Sequence, residues 1–223
     1  MGTDPCKYVI NGQKLEVVTK EKDLGIILSS NLKVADQCAA ACAKANKMLG
    51  LINRNIENKN KFIMLQLYKS LVRPHIDYCT VAWSPYYVKD KVLLEKVQRK
   101  FTRMVPGMKE FDYLLRLKIL KLWSLKERRN RSDLIEVFKM YRGFSSIPFE
   151  TFFQLDHDSC TRGHTAKLKK HRCNTELRRH FFSKRIVNRW NKLRQETISA
   201  TDINSFKQHL DKERLTRMDL FLD

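Results

Sequence analysis

The stretch Val34-Ala-Asp-Gln-Cys-Ala-Ala-Ala-Cys-Ala-Lys-Ala-Asn-Lys-Met-Leu-Gly-Leu-Ile-Asn-Arg54 decides the fold class. Cys38, Ala41, Cys42, Ala45, Met48, Leu49 and Ile52 recur at three- and four-residue steps, which lines apolar side chains along one face of a helix. Small residues dominate its first half, so this helix is expected to pack close to a neighbour. Further helices follow the same logic. Phe62, Leu65, Tyr68 and Leu71 mark one that Pro74 should end or kink, since proline lacks an amide donor and crowds the preceding turn. A shorter helix is expected over 76–83. Val88–Met104 is amphipathic and ends at Pro106-Gly107. Phe111–Leu120 and Ser124–Tyr141 continue the series, the latter opened by Ser124 and Glu127 in a capping-box spacing and stopped by Gly143.

Upstream of this helical run the pattern is different. Asn11-Gly12 separates two short apolar stretches, the strongest local signal for a two-residue hairpin, with strands expected near 7–10 and 14–18. Leu24-Gly-Ile-Ile-Leu28 reads as a third strand. Downstream, periodicity is lost between Phe144 and Asn174, where a short hairpin is expected around 151–155 and 165–170. Helices over 177–193 and 202–215 close the chain. The expected class is therefore mainly α (α+β): a β element at 1–30, a helical bundle at 31–105, a helical connector at 106–145 and a basic C-terminal domain at 146–223.

Charge indicates the partner. The 223 residues carry 44 Lys+Arg against 24 Asp+Glu, a formal net charge of +20. Such a surplus repels itself in a compact state, and its commonest use is to neutralise phosphates and release their counterions. The excess is +6 over residues 1–98 and +14 over the rest, and Cys160–Arg194 alone holds twelve Lys+Arg and one acid, Glu176. The first set of candidate phosphate contacts is therefore Arg162, Lys167, Lys169, Lys170, Arg172, Arg178 and Arg179, with neighbouring aromatics available to stack on bases. Phe181, Phe182, Ile186 and Trp190 have helical spacing, which favours a core role for them. A second set, Arg128 and Arg129 with Lys126 and Arg131, is expected on the solvent face of the helix whose Leu125, Leu134, Ile135, Val137 and Phe138 face inward. The third, Lys96, Arg99 and Arg103 with Lys100, lies on the outer face of 88–104.

Other chemistry is poorly served. Cys160, His164, His171 and Cys173 lack the paired spacing of a zinc finger, so no metal site is assigned. Cys38 and Cys42 read as small core residues, and His75 has no nucleophile placed to use it. Six irregularly spaced cysteines imply reduced thiols, and no apolar run approaches the roughly 20 residues of a membrane span. The expectation is an intracellular protein, cytoplasmic or nuclear, with no small-molecule ligand.

The strings Lys22-Asp-Leu-Gly-Ile-Ile-Leu28, Lys44-Ala-Asn-Lys-Met-Leu-Gly-Leu-Ile52, Leu67-Tyr-Lys-Ser-Leu-Val-Arg-Pro-His-Ile-Asp-Tyr-Cys79 and Ala82-Trp-Ser-Pro85 carry a family resemblance. With Val105-Pro-Gly107, Thr161-Arg-Gly-His164 and Asn188-Arg-Trp-Asn191 in order, the chain from about residue 7 to 211 resembles the C-terminal region of non-LTR retrotransposon reverse transcriptases, the jockey-like and chicken-repeat-like LINE groups. The resemblance implies a thumb-like helical region along a template–primer duplex. It also implies a primer-grip-like turn at Leu24-Gly25, for which a plain buried strand is an equal reading. The metal-binding aspartates of such enzymes precede the Lys-Asp-Leu-Gly strand, and no Asp-Asp dipeptide occurs here. Mg²⁺ would therefore belong to a palm outside this chain, and no catalytic residue is assigned. Leu193-Arg194 departs from the Leu-Pro common in these proteins. The function expected is a fragment of an RNA-directed DNA polymerase that binds RNA or DNA through phosphates without polymerising. Its alternatives are a host-recruited protein-interaction scaffold and an inert product of a truncated element.

Overall fold

The computed structural model describes residues 8–156 and 163–221. The molecule is mainly α with two small β hairpins at its N-terminal end. β1 (Val9–Ile10) and β2 (Gln13–Lys14) pair antiparallel through Asn11-Gly12, both at positive φ (51° and 79°), as a tight two-residue turn requires. The second strand is shorter than expected. β3 (Lys20–Asp23) and β4 (Ile26–Ser29) pair with Asp23 opposite Ile26, which makes Leu24-Gly25 a turn (φ 46° and 87°). The reading of Leu24 as the start of a strand is thus corrected, and the buried-strand reading falls with it, because Leu24 is 82% exposed. Sequence pattern missed β3 because Lys-Glu-Lys-Asp has no apolar alternation; its strand is held by pairing with β4 and by Lys20 Nζ donating to Asp36 Oδ1 (2.6 Å).

Of the two hairpins, β4 is the one anchored. Ile26 and Ser29 are buried, the Ile27 amide donates to Gln37 Oε1 (3.0 Å), and Ser29 Oγ donates to Asp36 Oδ2 (2.9 Å). Tyr78 reaches back to the turn, its hydroxyl donating to the Leu24 carbonyl (2.9 Å) while its ring lies 3.4 Å from where a Cβ at Gly25 would stand.

α1 (Ala35–Asn55) presents Cys38, Ala41, Cys42 and Ala45 to α5 (Val88–Met104), close enough for Cys42 Sγ to donate to the Leu93 carbonyl (3.5 Å). Between them, α2 (Lys61–Leu67) runs through a π-helical turn, Tyr68–Val72, into α3 (Arg73–Asp77). The Arg73 amide bonds to the Tyr68 carbonyl five residues back. This widened turn accommodates Pro74, which has no amide to donate and whose ring would meet a carbonyl of a regular helix. The helix therefore passes through the proline. It stops at Cys79, in the left-handed region (φ 50°), and α4 is the short Thr80–Trp83.

α6 (Tyr113–Ile119) starts at an Asp112 cap, and α7 (Leu125–Tyr141) starts at a complete Ser124–Glu127 capping box. α7 is the central strut. Its Leu125 belongs to a core with Leu49, Met64, Tyr68, Leu94 and Phe101, whereas Leu134, Val137 and Phe138 belong to a second core with Trp190, Phe206 and Leu210. The expected pairing near 155 and 168 exists as one antiparallel bridge, Leu155 opposite Leu168.

The single helix expected over 177–193 is three short ones: α8 (Glu176–Arg179), α9 (Phe182–Arg185) and α10 (Val187–Asn191). Phe181 is extended (φ −65°, ψ 148°), and Arg185 holds the break by donating to Asp133 and to the carbonyls of His180 (3.3 Å) and Val81 (2.8 Å). α11 (Gln195–Ile198) and the Asp202-capped α12 (Ile203–Thr216) complete the second core. No helix among the described residues is long and apolar enough to cross a membrane.

Candidate nucleic-acid interface

A cleft of about 660 Å³ opens where α7 meets the chain around α8–α10. Its walls are cationic from several parts of the sequence. α5 contributes Lys91, α7 contributes Lys126 and Arg129, the irregular segment before α8 contributes Lys170 and Arg172, and the α8–α10 region contributes Arg179, Lys184, Arg185, Arg189 and Lys192. His171 and His180 join them, and no Asp or Glu lines the cleft among the described residues. Tyr86 stands on one wall with its ring stacked on His180, centroids 4.5 Å apart and planes 5° from parallel. Concave walls of one sign focus the field and concentrate anions.

Two acids partly offset this charge: exposed Glu176 pairs with Arg179 (2.7 Å) and approaches His180 (3.4 Å), and Asp133 is buried behind the lining. Asp133 is 1% exposed and takes both branches of the Arg185 guanidinium at 2.8 Å. Burial raises the Asp133 carboxyl above its ordinary value, and the attraction of Arg185 works against that rise. Arg129 is 3% exposed, and neither of its terminal nitrogens has a hydrogen-bond partner. Burial pulls its pKa down, while Glu95 and, more weakly, Asp77 and Asp133 favour its charge.

Lys170, Arg172, Arg179 and Arg129 are the predicted residues that the fold brings together here. Lys169 and Arg178 are exposed but outside the cleft, and Arg178 lies 5.0 Å from the ring of Phe181, itself 44% exposed. Phe182, Ile186 and Trp190 are core, as their spacing implied. Three expectations are corrected. Lys167 is 7% exposed, packed under Gly163, and is no surface cation. Arg128 is tied to Asp77, with Nη2 at 2.5 Å from Oδ2. The supposed solvent face of α7 is covered: besides buried Arg129, Arg131 lies over Trp123 (5.3 Å) and pairs with Asp211 (3.3 Å), because α12 packs on that side. Arg162 and Cys160 lie outside the described residues.

Lys96, Arg99 and Arg103 do face solvent on α5, where with Lys100 and Lys109 they rim a second depression of about 460 Å³. Arg99 lies over Tyr113 (4.9 Å), with Arg116 over the same ring (5.6 Å). His164 is buried with Nε2 bonded to the Trp190 carbonyl (2.9 Å), and its pKa is lowered by that burial. No group of three His, Cys, Asp or Glu able to hold a metal occurs among the described residues. Leu24-Gly25 is a turn at the β end, and Tyr78 is the side chain bonded to it.

Tyr86, Lys91, Lys184, Arg185, Arg189 and Lys192 escaped the sequence reading. A smooth helix over 177–193 spreads its cations around the axis, and the breaks at Phe181 and Ile186 are what turn them to one wall. Tyr86 and Lys91 carry no signal in local sequence. No family profile, curated protein or solved structure matches the chain.

Proposed function

We propose that this chain is a nucleic-acid-binding module of retrotransposon reverse-transcriptase descent, which holds the phosphate backbone of RNA or DNA in the cleft between α7 and α8–α10 and does not itself polymerise. The observation that carries the binding is the cleft: ten Lys and Arg with no lining carboxylate. An arrangement so costly in self-repulsion is stabilised when phosphates displace its counterions. Descent rests on the sequence resemblance, and the missing Asp-Asp pair argues against two-metal phosphoryl transfer within these 223 residues.

Fluorescence anisotropy over a salt series tests the binding. Lys170, Arg172, Arg179 and Lys184, all changed to Gln, should flatten the log-affinity against log-salt slope by about 2.8 for a single strand, or 0.7 per lost contact. Changing Lys44, Lys47, Arg54 and Lys212, exposed cations outside the cleft, should leave it nearly unchanged. Equal effects of the two sets would reduce binding to net charge and remove the cleft from the argument. A primer-extension assay on an RNA template should show no metal-dependent incorporation.

One observation favours the scaffold alternative for the hairpin region of the molecule. Val9, Ile10, Leu15, Val17, Val18, Leu24 and Leu28 are all exposed on the hairpins and the segment joining them, an apolar surface that is unusual for a free monomer. A protein partner held there would stay bound at high salt.

A further inference from the structure

The cationic cleft is narrow, and its lining is only partly charged. Its volume of about 660 Å³ would fill a cube of about 9 Å on a side, whereas the major groove of a duplex is itself about 12 Å wide. A duplex can therefore rest on the rim but cannot enter. A single strand can, since a space of this size takes a ligand of about one or two nucleotides. Two features of the lining suit bases better than phosphates. Pro85, Val187 and Leu220 set apolar ground among the cations. Tyr86 and His180, both in the lining, are stacked with centroids 4.5 Å apart, and Tyr86 also meets the ring of Tyr87 at 4.2 Å. Tyr87 precedes α5 and His180 follows α8, so two elements far apart in sequence build one aromatic run. The His180 side chain is 35% exposed, which leaves part of the run open to a further ring. Charge separates the two roles. Glu176 stands 3.4 Å from His180 Nε2 and pairs with Arg179, so phosphate is repelled from this end and favoured among Lys170, Lys184 and Lys192 elsewhere in the lining.

We infer that the cleft selects single-stranded nucleic acid over duplex: an unpaired base stacks on the Tyr86–His180 run while Lys170, Lys184 and Lys192 hold the neighbouring phosphates. Stacking of this kind tolerates any base, because every base has a ring face. The inference rests on the nucleic-acid reading and adds to it the form of strand that the site accepts.

Anisotropy with the full chain tests this on DNA probes of equal length. One is a single strand of mixed sequence, a second is that strand annealed to its complement, and a third has the same phosphates but abasic sugars. Charge alone favours the duplex, whose phosphates are the densest, about one per 1.7 Å of axis. The single strand should nevertheless bind about tenfold more tightly than the duplex or the abasic strand, the worth of one base stacked on an aromatic ring. Tyr86→Leu should remove most of that preference without changing the slope of log-affinity against log-salt, because no phosphate contact is lost. Tyr86→Phe keeps the ring and should hold the single strand within about twofold of wild type. Duplex bound as tightly as the single strand by the wild-type chain overturns strand selection and leaves the phosphate-holding cleft standing. An abasic strand bound as tightly as the normal one overturns the stacking, and that measurement needs no variant to fold. A preference undiminished in folded Tyr86→Leu likewise removes the aromatic run from the argument. No binding of any probe defeats both this inference and the nucleic-acid reading.

Discussion

Gln98 is wholly buried and has no apolar role. Its Oε1 accepts from the Tyr68 hydroxyl (2.7 Å), and its Nε2 donates to the Tyr113 hydroxyl (3.1 Å) and the Trp123 carbonyl (2.9 Å). Gln98→Met keeps the volume but strands those groups, so it should cost about 2–4 kcal/mol in urea melts. Adding Tyr68→Phe should recover about 1 kcal/mol, because a buried hydroxyl without an acceptor is then removed; strict additivity of the two changes would refute the network. Glu127 gives the pH dependence. Burial pushes its pKa up, but the Arg214 guanidinium (2.8 and 3.0 Å) and the Ser124 bonds outweigh that and leave it below its ordinary 4.5. A depressed carboxyl stabilises the fold fully above 4.5 and loses that contribution as pH falls through the folded value. Glu127→Gln should therefore cost about 1.5–3 kcal/mol at neutral pH, with the gap to wild type closing on acidification. A gap undiminished near pH 2 would contradict it. Single residues were legible only where local pattern decides their surroundings. Lys170, Arg172 and Arg179 announce themselves by charge density, and Ser124 by its capping partner. Arg129 does not, since Lys126, Arg128 and Arg131 around it suggest water, and what covers it arrives from residues far along the chain.

Among the elements, the two hairpins differ in what they contribute. β1 and β2 bury nothing, whereas β4 places Ile26 against α1 and satisfies Gln37, itself buried. Removing residues 1–18 should shift Tm by less than about 3 °C, while removing 1–30 should cost roughly 2–4 kcal/mol, or about 5–10 °C, with the helices still folded. Equal Tm for the two deletions would show β4 to be as dispensable as β1. Ser124→Ala should cost about 1 kcal/mol, since α7 loses its reciprocal cap. The long amphipathic helices α1, α5 and α7 could be read from periodicity because each buries one continuous face along its length. The chain from 176 to 191 could not. Its geometry is set by Arg185 bonding to Asp133 and Val81, across 52 and 104 residues, and no local window contains such partners. The π turn before Pro74 is a similar case: sequence shows that proline interrupts a helix, and only packing of Tyr68 and Val72 into the core decides that the helix resumes.

At the scale of the molecule, the two cores share α7, with Leu125 in one and Leu134 in the other. Bonds cross between the halves as well: Glu127 to Arg214, Asp133 to Arg185 and Asn130 Nδ2 to the Phe221 carbonyl (2.7 Å). A chain of this length need not unfold in one step. The shared strut predicts that it does, so single-tryptophan variants retaining Trp83 in the first core or Trp190 in the second should melt within about 2 °C of each other by fluorescence. Two separated transitions would show α7 to be a passive link. The cleft has a further consequence that concerns time. Its lining begins at Ser84 and ends at Leu220, so during synthesis the cations emerge one after another as a loose basic string that any polyanion can seize. Only when the segment bearing Leu220 has left the ribosome can the wall close over Arg129. Until that last segment is in place the same cations are separate charges on a loose chain, and its arrival is what gathers them into one concave wall.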